Sequence, residues 1–385
     1  MEYLQNTKIN DYQMKYCFLI AILFGTIFRF IVIQFPHNYD FDSCVIIGNI
    51  ASDFGNVYTR THRYNYGPVF YFLIGILYHF SQLIPNSNIV FRYLIVLMLT
   101  LVDILLAVLV YSKYKSRFAA CLFIINPISI IITGVHHQFD NIAILLALCA
   151  IEFYNNEESF GKKDIVFILL FALSLITKHV FYLFIVWIMF RTELTLKKRL
   201  AYTVIPVFLF LLSFAPFFRG DGARGIINNV FLYRSFNNAP LLRGIYELFA
   251  VPKGAYFPLS ALFTCLFGFL YRKEGIREYV LLYTICVVCF SSAIANQYLV
   301  IPMVGLCVLS NNFKYIYMVF IGLFLALESN GLGLFSKLEA SGRLSGYGML
   351  VTRYYIIGGY MIASMILFIV AVKYIITNEK VKKLI

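Results

Sequence analysis

Charge is scarce in this chain. Of its 385 residues only 13% are Asp, Glu, Lys or Arg, 61% are hydrophobic, and the mean hydropathy is +0.79. A soluble globular domain does not need that much apolar surface, so the composition excludes one and points to a polytopic membrane protein. Acidic residues are scarcer still, 19 against 32 basic ones, which leaves a net charge of +13. The Lys and Arg side chains fall in short clusters between apolar segments, where they set topology, so a nucleic-acid partner is not expected. No small-residue cleavage site follows the first apolar run, Tyr16 to Ile33, which therefore reads as a retained first transmembrane helix. Seven of the eight cysteines lie inside apolar runs, Cys44 being the exception, and the single C-x-x-C, Cys286 and Cys289, has no second pair. Zinc and redox readings are therefore weak, and no disulfide framework is implied. Internal repeats, low-complexity tracts and soluble domains are also missing.

What is present is a succession of apolar segments, at about 15–35, 68–84, 90–111, 118–134, 139–154, 164–177, 180–190, 200–217, 257–271, 278–293, 298–310, 314–328 and 353–376. They predict an all-α polytopic integral membrane protein of about 11–13 transmembrane helices. The expected organisation is a single multi-spanning domain over 1–385, with a module at 15–217, an outer loop at 218–256 and C-terminal helices at 257–385. The basic clusters at 112–117, 161–163, 191–199, 271–278, 311–314 and the terminal NEKVKK are expected on the cytoplasmic side. Alternation then puts 136–140, Lys178, 218–256, 296–298 and 329–352 together on the other side. The loop from Asn38 to Tyr66 joins them if 68–84, which opens with Gly67-Pro68, dips into the membrane and returns. Within that loop residues 41–54 have helical spacing, with Phe41, Val45, Ile46, Ile50 and Phe54 on one face and Asp42, Asn49 and Asp53 on the other. This predicts a short interfacial helix capped by Asn38 or Asp40.

Asp40 and Asp42 form D-x-D beside the first helix. Two such carboxylates could hold a divalent cation, or one could deprotonate an acceptor hydroxyl; the structural alternative is a cap plus a solvated helix face. Arg60, His62 and Arg63 follow, cations that run against the expected charge bias and would suit a retained anion such as a lipid phosphate, or ordinary headgroup contact. Asn65 and Tyr66 could meet sugar hydroxyls or simply build the turn. His136, His137, Gln138, Asp140 and Asn141 lie between two apolar helices, where polar groups are costly unless they face water, substrate or one another. Lys178 interrupts a 27-residue apolar run, with phosphate pairing and snorkelling as its two readings. Arg234, in the outer loop, and Gln297 with Tyr298 complete the candidates.

Taken in order, these landmarks resemble the class C glycosyltransferases, multi-spanning enzymes that use polyprenyl-phosphate sugars. YDFD followed by GNVYTRTHRYNYGPV is similar to the opening loop of the first mannosyltransferase of GPI-anchor assembly. NPISIIITGVHHQFDN is similar to the N-P...G-Q-F-D-A pattern of bacterial members, TKHV occupies the place of their K-P-Q, and NQYLVIP resembles their Q-Y-x-x-W-x-x-P. The resemblance covers about residues 38–302. It implies a GT-C fold and an inverting hexosyltransferase, on this likeness a mannosyltransferase, acting on the non-cytoplasmic side. Asp40 and Asp42 would be catalytic, with donor contacts at Arg63, Gln138, Asp140 and Lys178. The partners implied are a polyprenyl-phosphate sugar donor and a lipid or glycan acceptor, with no cofactor beyond a divalent cation at Asp40 and Asp42. A bacterial plasma membrane is favoured over endoplasmic reticulum, because the 126–148 landmark has the bacterial form. Gly67-Pro68, His179 and the lack of a Trp after Tyr298 depart from the pattern and leave the sugar open. The competing class is a transporter or flippase for a lipid-linked or anionic solute.

Overall fold

Apolar segments in hydrocarbon can satisfy their backbone groups only as helices or closed barrels. A computed structural model describes residues 11–233, 239–310, 312–328, 331–334, 337 and 348–377, and every regular element among them is helical. The helices that organise the chain are α1 (Asp11–Val32), α2 (Tyr39–Ser52), α3 (Pro68–Ser81), α4 (Ser87–Lys113), α5 (Arg117–Ile125), α6 (Pro127–Ile131), α7 (Asp140–Ile151), α8 (Lys162–Thr177), α9 (Leu196–Leu212), α10 (Tyr256–Leu270), α11 (Ile276–Cys289), α12 (Met303–Leu309), α13 (Phe313–Leu327) and α14 (Gly348–Thr377).

Among the described residues, five stretches are long and apolar enough to cross a membrane: Met14–Val32, Ser87–Lys113, Leu196–Phe217, Lys253–Leu270 and Gly358–Thr377. A sixth is formed if Arg117–Ile125 and Pro127–His136, which meet at 41°, count as one bent span. The bend has a local cause. Pro127 cannot donate to the preceding turn, and Asn126 caps the new helix by accepting from the Ser129 amide at 2.7 Å. The sequence expectation of 11–13 spans exceeds this number because several apolar helices, such as α3, α7 and α13, stop short of the ~20 residues a full crossing takes. At 14 residues, α3 is about 21 Å long, against roughly 30 Å of hydrocarbon.

Basic loops expected on one side do meet at one end of the bundle. Lys113 and Arg277 both pair with Glu152, Lys198 pairs with Asp164 at 2.8 Å, and Arg191 donates to the carbonyl oxygens of Arg272 and Glu274. The polar segments without basic clusters meet at the other end, where Asn38 bonds His136, Lys178 bonds Gln138, and Asn56 donates to the Phe217 carbonyl at 2.7 Å. Part of the 329–352 segment lies outside the described residues.

The interfacial helix forms at α2, capped by Asn38. Its buried face is Phe41, Cys44, Ile47, Gly48 and Ile50. Ile46 and Phe54, which the spacing puts on the same apolar face as Phe41 and Ile50, are exposed, Phe54 at 97%. The helix ends at Ser52, so Phe54, at positive φ, no longer follows the helical period. Phe41, Ile47 and Ile50 pack with Tyr71 and Ile74 of α3 and Phe91, Ile95 and Leu99 of α4 into a core separate from the larger one that runs from Phe18 to Ala371.

A buried ionic knot ties the two halves of this arrangement. Arg29 of α1 donates to Asp103 of α4 through Nη2 at 2.8 Å and Nε at 3.1 Å, and both side chains are fully buried. Ser129 and Thr133 donate to the same Asp103 oxygen at 2.9 and 2.8 Å, and Asn141 donates to the other at 2.5 Å. The remaining guanidinium nitrogen reaches the carbonyls of Gly25 and Ile124, both at 2.9 Å. A Cβ at Gly25 would stand 2.6 Å from the Ile124 oxygen, so the absence of a side chain lets α1 approach closely enough for these bonds. Removing one partner of a buried pair strands the other charge, at a cost of about 3–5 kcal/mol. Arg29→Met is therefore expected to lower the thermal unfolding midpoint of the detergent-purified protein sharply, and Arg29→Met with Asp103→Leu to recover much of the loss; a single variant as stable as wild type would contradict the assignment.

Candidate functional site

The site starts with a helix cap. Asn38 is extended and its Oδ1 accepts from the Asp40 amide at 3.1 Å, which starts α2 and sets Asp40 in the first turn, where the helix dipole favours an anion. The Asn38 amide nitrogen donates to Asp40 Oδ2 at 3.0 Å and to His136 Nδ1 at 2.8 Å, and His136 stands 3.8 Å from the Asp40 carboxylate. Burial by itself would raise the Asp40 carboxyl. Its polar neighbours His136, Gln138 and Asn38 outweigh it and hold Asp40 below the usual carboxylate value of 3.8. Asp40 is therefore ionised at neutral pH.

Asp42 is different. Two residues further along a helix is a rotation of about 200°, so its carboxylate points away, is 54% exposed, and accepts from or bonds to His37 Nε2 at 2.9 Å. The two acids do not face a common point, which corrects the expectation that they act as a pair. They do not fit a shared divalent cation, and no group of three or more His, Cys, Asp or Glu side chains converges among the described residues.

The 132–141 segment supplies the opposite wall. Chain direction changes through a π-helical turn at Ile132–His136 and then at His137, a non-glycine residue with φ of 56°. Both irregularities are costly and concentrate at functional sites. His137 Nε2 lies 3.2 Å from the Arg92 guanidinium Nε, which donates to it, while Arg92 Nη2 holds the Phe35 carbonyl at 3.0 Å. Burial, and then the Arg92 charge, push the His137 imidazole well below 6.5 and keep it neutral.

Lys178 completes the group. Helix α8 ends at Thr177 and Lys178 turns into extended backbone. Its ammonium donates to Asp140 Oδ2 at 2.7 Å and Gln138 Oε1 at 3.1 Å, and lies 4.9 Å from the Tyr66 ring and 4.7 Å from that of Phe139. Gln138 thus touches both the Lys178 ammonium and the Asp40 carboxylate.

These groups border a cavity of about 280 Å³. Asp40, Arg63, Tyr66, His137, Gln138 and Gln297 line it, with Tyr39 and Tyr233 as aromatic walls. Arg63 lies 3.7 Å over the Tyr39 ring, a stacking that leaves the edge of the guanidinium for an anion. His136, Asp140 and Lys178 stand one layer behind, joined to the lining through Asn38 and Gln138. Arg60 is exposed, 3.9 Å from Asp53, and Tyr298 packs against the larger core; neither lines the cavity. Arg234 lies outside the described residues.

Sequence reasoning missed Arg92, Arg29 and Asp103. The signal was there for the last two, since a charged residue amid FGTIFRFIVI or LTLVDILLAV is expensive in hydrocarbon unless paired. Asn38 was read as a cap alone, and its bridge to His136 has no sequence signature.

No family model, curated protein or solved structure matches the chain. The fold and the cavity define a class on their own: an all-helical membrane protein with a small polar pocket, holding one ionised carboxylate and one stacked guanidinium, at the end of the bundle opposite its basic loops.

The turn that carries Tyr66 depends on Gly67. A Cβ there would lie 2.0 Å from the backbone oxygen of Ile176, and backbone cannot rotate away. Gly67→Ala is expected to cost about 1–3 kcal/mol by overpacking and to lower the thermal midpoint; an unchanged midpoint would show that Ile176 and the turn are not in contact.

Proposed function

We propose that the chain is a polyprenyl-phosphate-dependent hexosyltransferase of the class C (GT-C) kind, with short helices such as α3 and α7 contributing to a bundle of 11–13 membrane segments. The observation that carries this reading is that Asp40 and Arg63 line the same cavity, a base and an anion holder within one space sized for a single sugar ring rather than an oligosaccharide.

In the reaction, Asp40 takes the proton of the acceptor hydroxyl as that oxygen bonds to the anomeric carbon. On the far side the bond from that carbon to the phosphate oxygen breaks, and the electron pair leaves on the lipid phosphate. Attack opposite the leaving group inverts the anomeric centre, and no glycosyl-enzyme intermediate is needed. Arg63 receives the phosphate. Lys178 is a weaker claimant, because Asp140 already neutralises its charge; it serves by holding Gln138, which in turn fixes Asp40. Gln297, Tyr66 and Tyr39 offer amide and aromatic surface for the sugar. The acceptor, whether a lipid or a glycan, and the sugar are not named by this geometry, and a bacterial plasma membrane is the setting the resemblance favours.

Radiolabelled transfer from polyprenyl-phosphate hexoses by purified protein tests the reading. Asp40→Asn is expected to reduce transfer by about 10²–10⁴-fold, whereas Asp42→Asn keeps most of it. Equal activity in wild type and Asp40→Asn would falsify the assignment of the base.

The pH dependence has a definite sign. A carboxyl held below its usual value stays ionised until the pH falls through that lowered value. Any acidic limb from Asp40 is therefore expected to have its midpoint below pH 3.8, and an acidic limb centred near neutrality that persists in both His136→Asn and His137→Asn would contradict Asp40 as the base.

The transport reading has one specific support, the mid-segment pair Arg29–Asp103. Each of its oxygens and nitrogens is bonded inside the bundle and neither side chain is exposed, which suits a structural tie better than a moving charge. Counterflow of a lipid-linked solute into liposomes, without sugar transfer, would favour transport.

A further inference from the structure

A second cavity, of about 670 Å³, opens between the start of α13 and the last turns of α14, far along the chain from the Asp40 site. Asn312, Phe313, Lys314, Tyr315, Ile316 and Lys373 line it, so it holds two ammonium groups and no carboxylate. The Lys373 nitrogen lies 5.2 Å from the Phe313 ring centre; that of Lys314 lies 5.6 Å from Phe118, at the start of α5, and 5.5 Å from Tyr315. Phe118 follows the basic loop 112–117, which places the cavity at the basic end of the bundle.

Lys113, Arg191, Lys198 and Arg277 each have a carboxylate partner. Lys314 and Lys373 form no ion pair among the described residues, although they share one cavity. Two ammoniums lining one cavity with no carboxylate among its lining residues favour an anion between them. From Ile316 in the cavity lining an exposed apolar row runs along α13. Ile316, Val319, Phe320 and Leu323 are all exposed, and their spacing of three, four and seven residues puts them on one face of α13.

We propose that this cavity binds the phosphodiester headgroup of an anionic phospholipid, with Lys314 and Lys373 on the phosphate and an acyl chain along Ile316, Val319, Phe320 and Leu323. A free phosphate would use the two ammoniums and ignore the apolar track, so the track selects the lipid. Basic pockets between transmembrane helices at the positively charged side of a membrane protein are suited to such headgroups, each Lys contributing about 1 kcal/mol. The site is independent of the sugar-transfer reading, since it uses no residue of the Asp40 cavity.

Lipid retention by the full-length protein, measured by native mass spectrometry after exchange into mixed micelles of phosphatidylglycerol and phosphatidylcholine, tests it. Wild type is expected to retain phosphatidylglycerol preferentially. Lys314→Gln and Lys373→Gln should each weaken retention roughly fivefold, and the double Arg variant, Lys314→Arg with Lys373→Arg, should restore it. Equal retention of the two lipids by wild type would overturn the proposal without recourse to any variant. So would undiminished phosphatidylglycerol retention in the double Gln variant, or its displacement from wild type by excess inorganic phosphate, which would make the site one for a free anion.

Discussion

The most heavily bonded buried carboxylate among the described residues is Asp103, which accepts from four side chains. A carboxylate at that depth is tolerable only if its charge and its lone pairs are met. Arg29, Ser129, Thr133 and Asn141 meet them from α1, the bent 126–136 segment and α7. Because the donors come from elements far apart in sequence, the requirement to satisfy one side chain fixes how those elements sit. Asn141 follows Asp140, so the same knot fixes the residue that holds Lys178. The pocket inherits its geometry from this tie.

From there a chain of polar contacts runs outward: Asp140 to Lys178, Lys178 to Gln138, Gln138 to Asp40. Each link is between groups of opposite or complementary character, and the result is a carboxylate ionised at the rim of an apolar bundle. The buried ammonium is spent on Asp140. That leaves Arg63, braced on Tyr39, as the cation that faces the cavity. The two cavity charges therefore belong to different residues, Asp40 and Arg63, and the interior pair is already neutral.

Much of this was legible in the chain before any coordinates. The helical class followed from hydropathy, the interfacial helix from the spacing of Phe41 to Ile50, and the two ends of the bundle from the placement of Lys and Arg. Asp40, Arg63, Tyr66, Gln138 and Gln297 were singled out because polar side chains beside hydrocarbon-length segments need a reason to be there, and all five line one cavity. Asp42 was misread as Asp40's partner. Spacing in sequence says that two carboxylates are near along the chain, whereas a helix turns the second one away, toward His37. Spacing grouped Ile46 and Phe54 with Phe41 and Ile50 on one apolar face; which of them pack inward is set by contact with α3 and α4, which period alone does not locate.

The sequence by itself determined that the chain is helical, multi-spanning, and equipped at one end with acids, imidazoles, amides and a lysine, because hydrophobicity and charge are local properties that act residue by residue. Which of those groups meet was decided only in three dimensions. Arg29 finds Asp103 across 74 positions, and Asn38 finds His136 across 98. Such pairings depend on how helices from distant parts of the chain pack and on which polar atoms must be satisfied once water is gone. No periodicity in the sequence records that outcome.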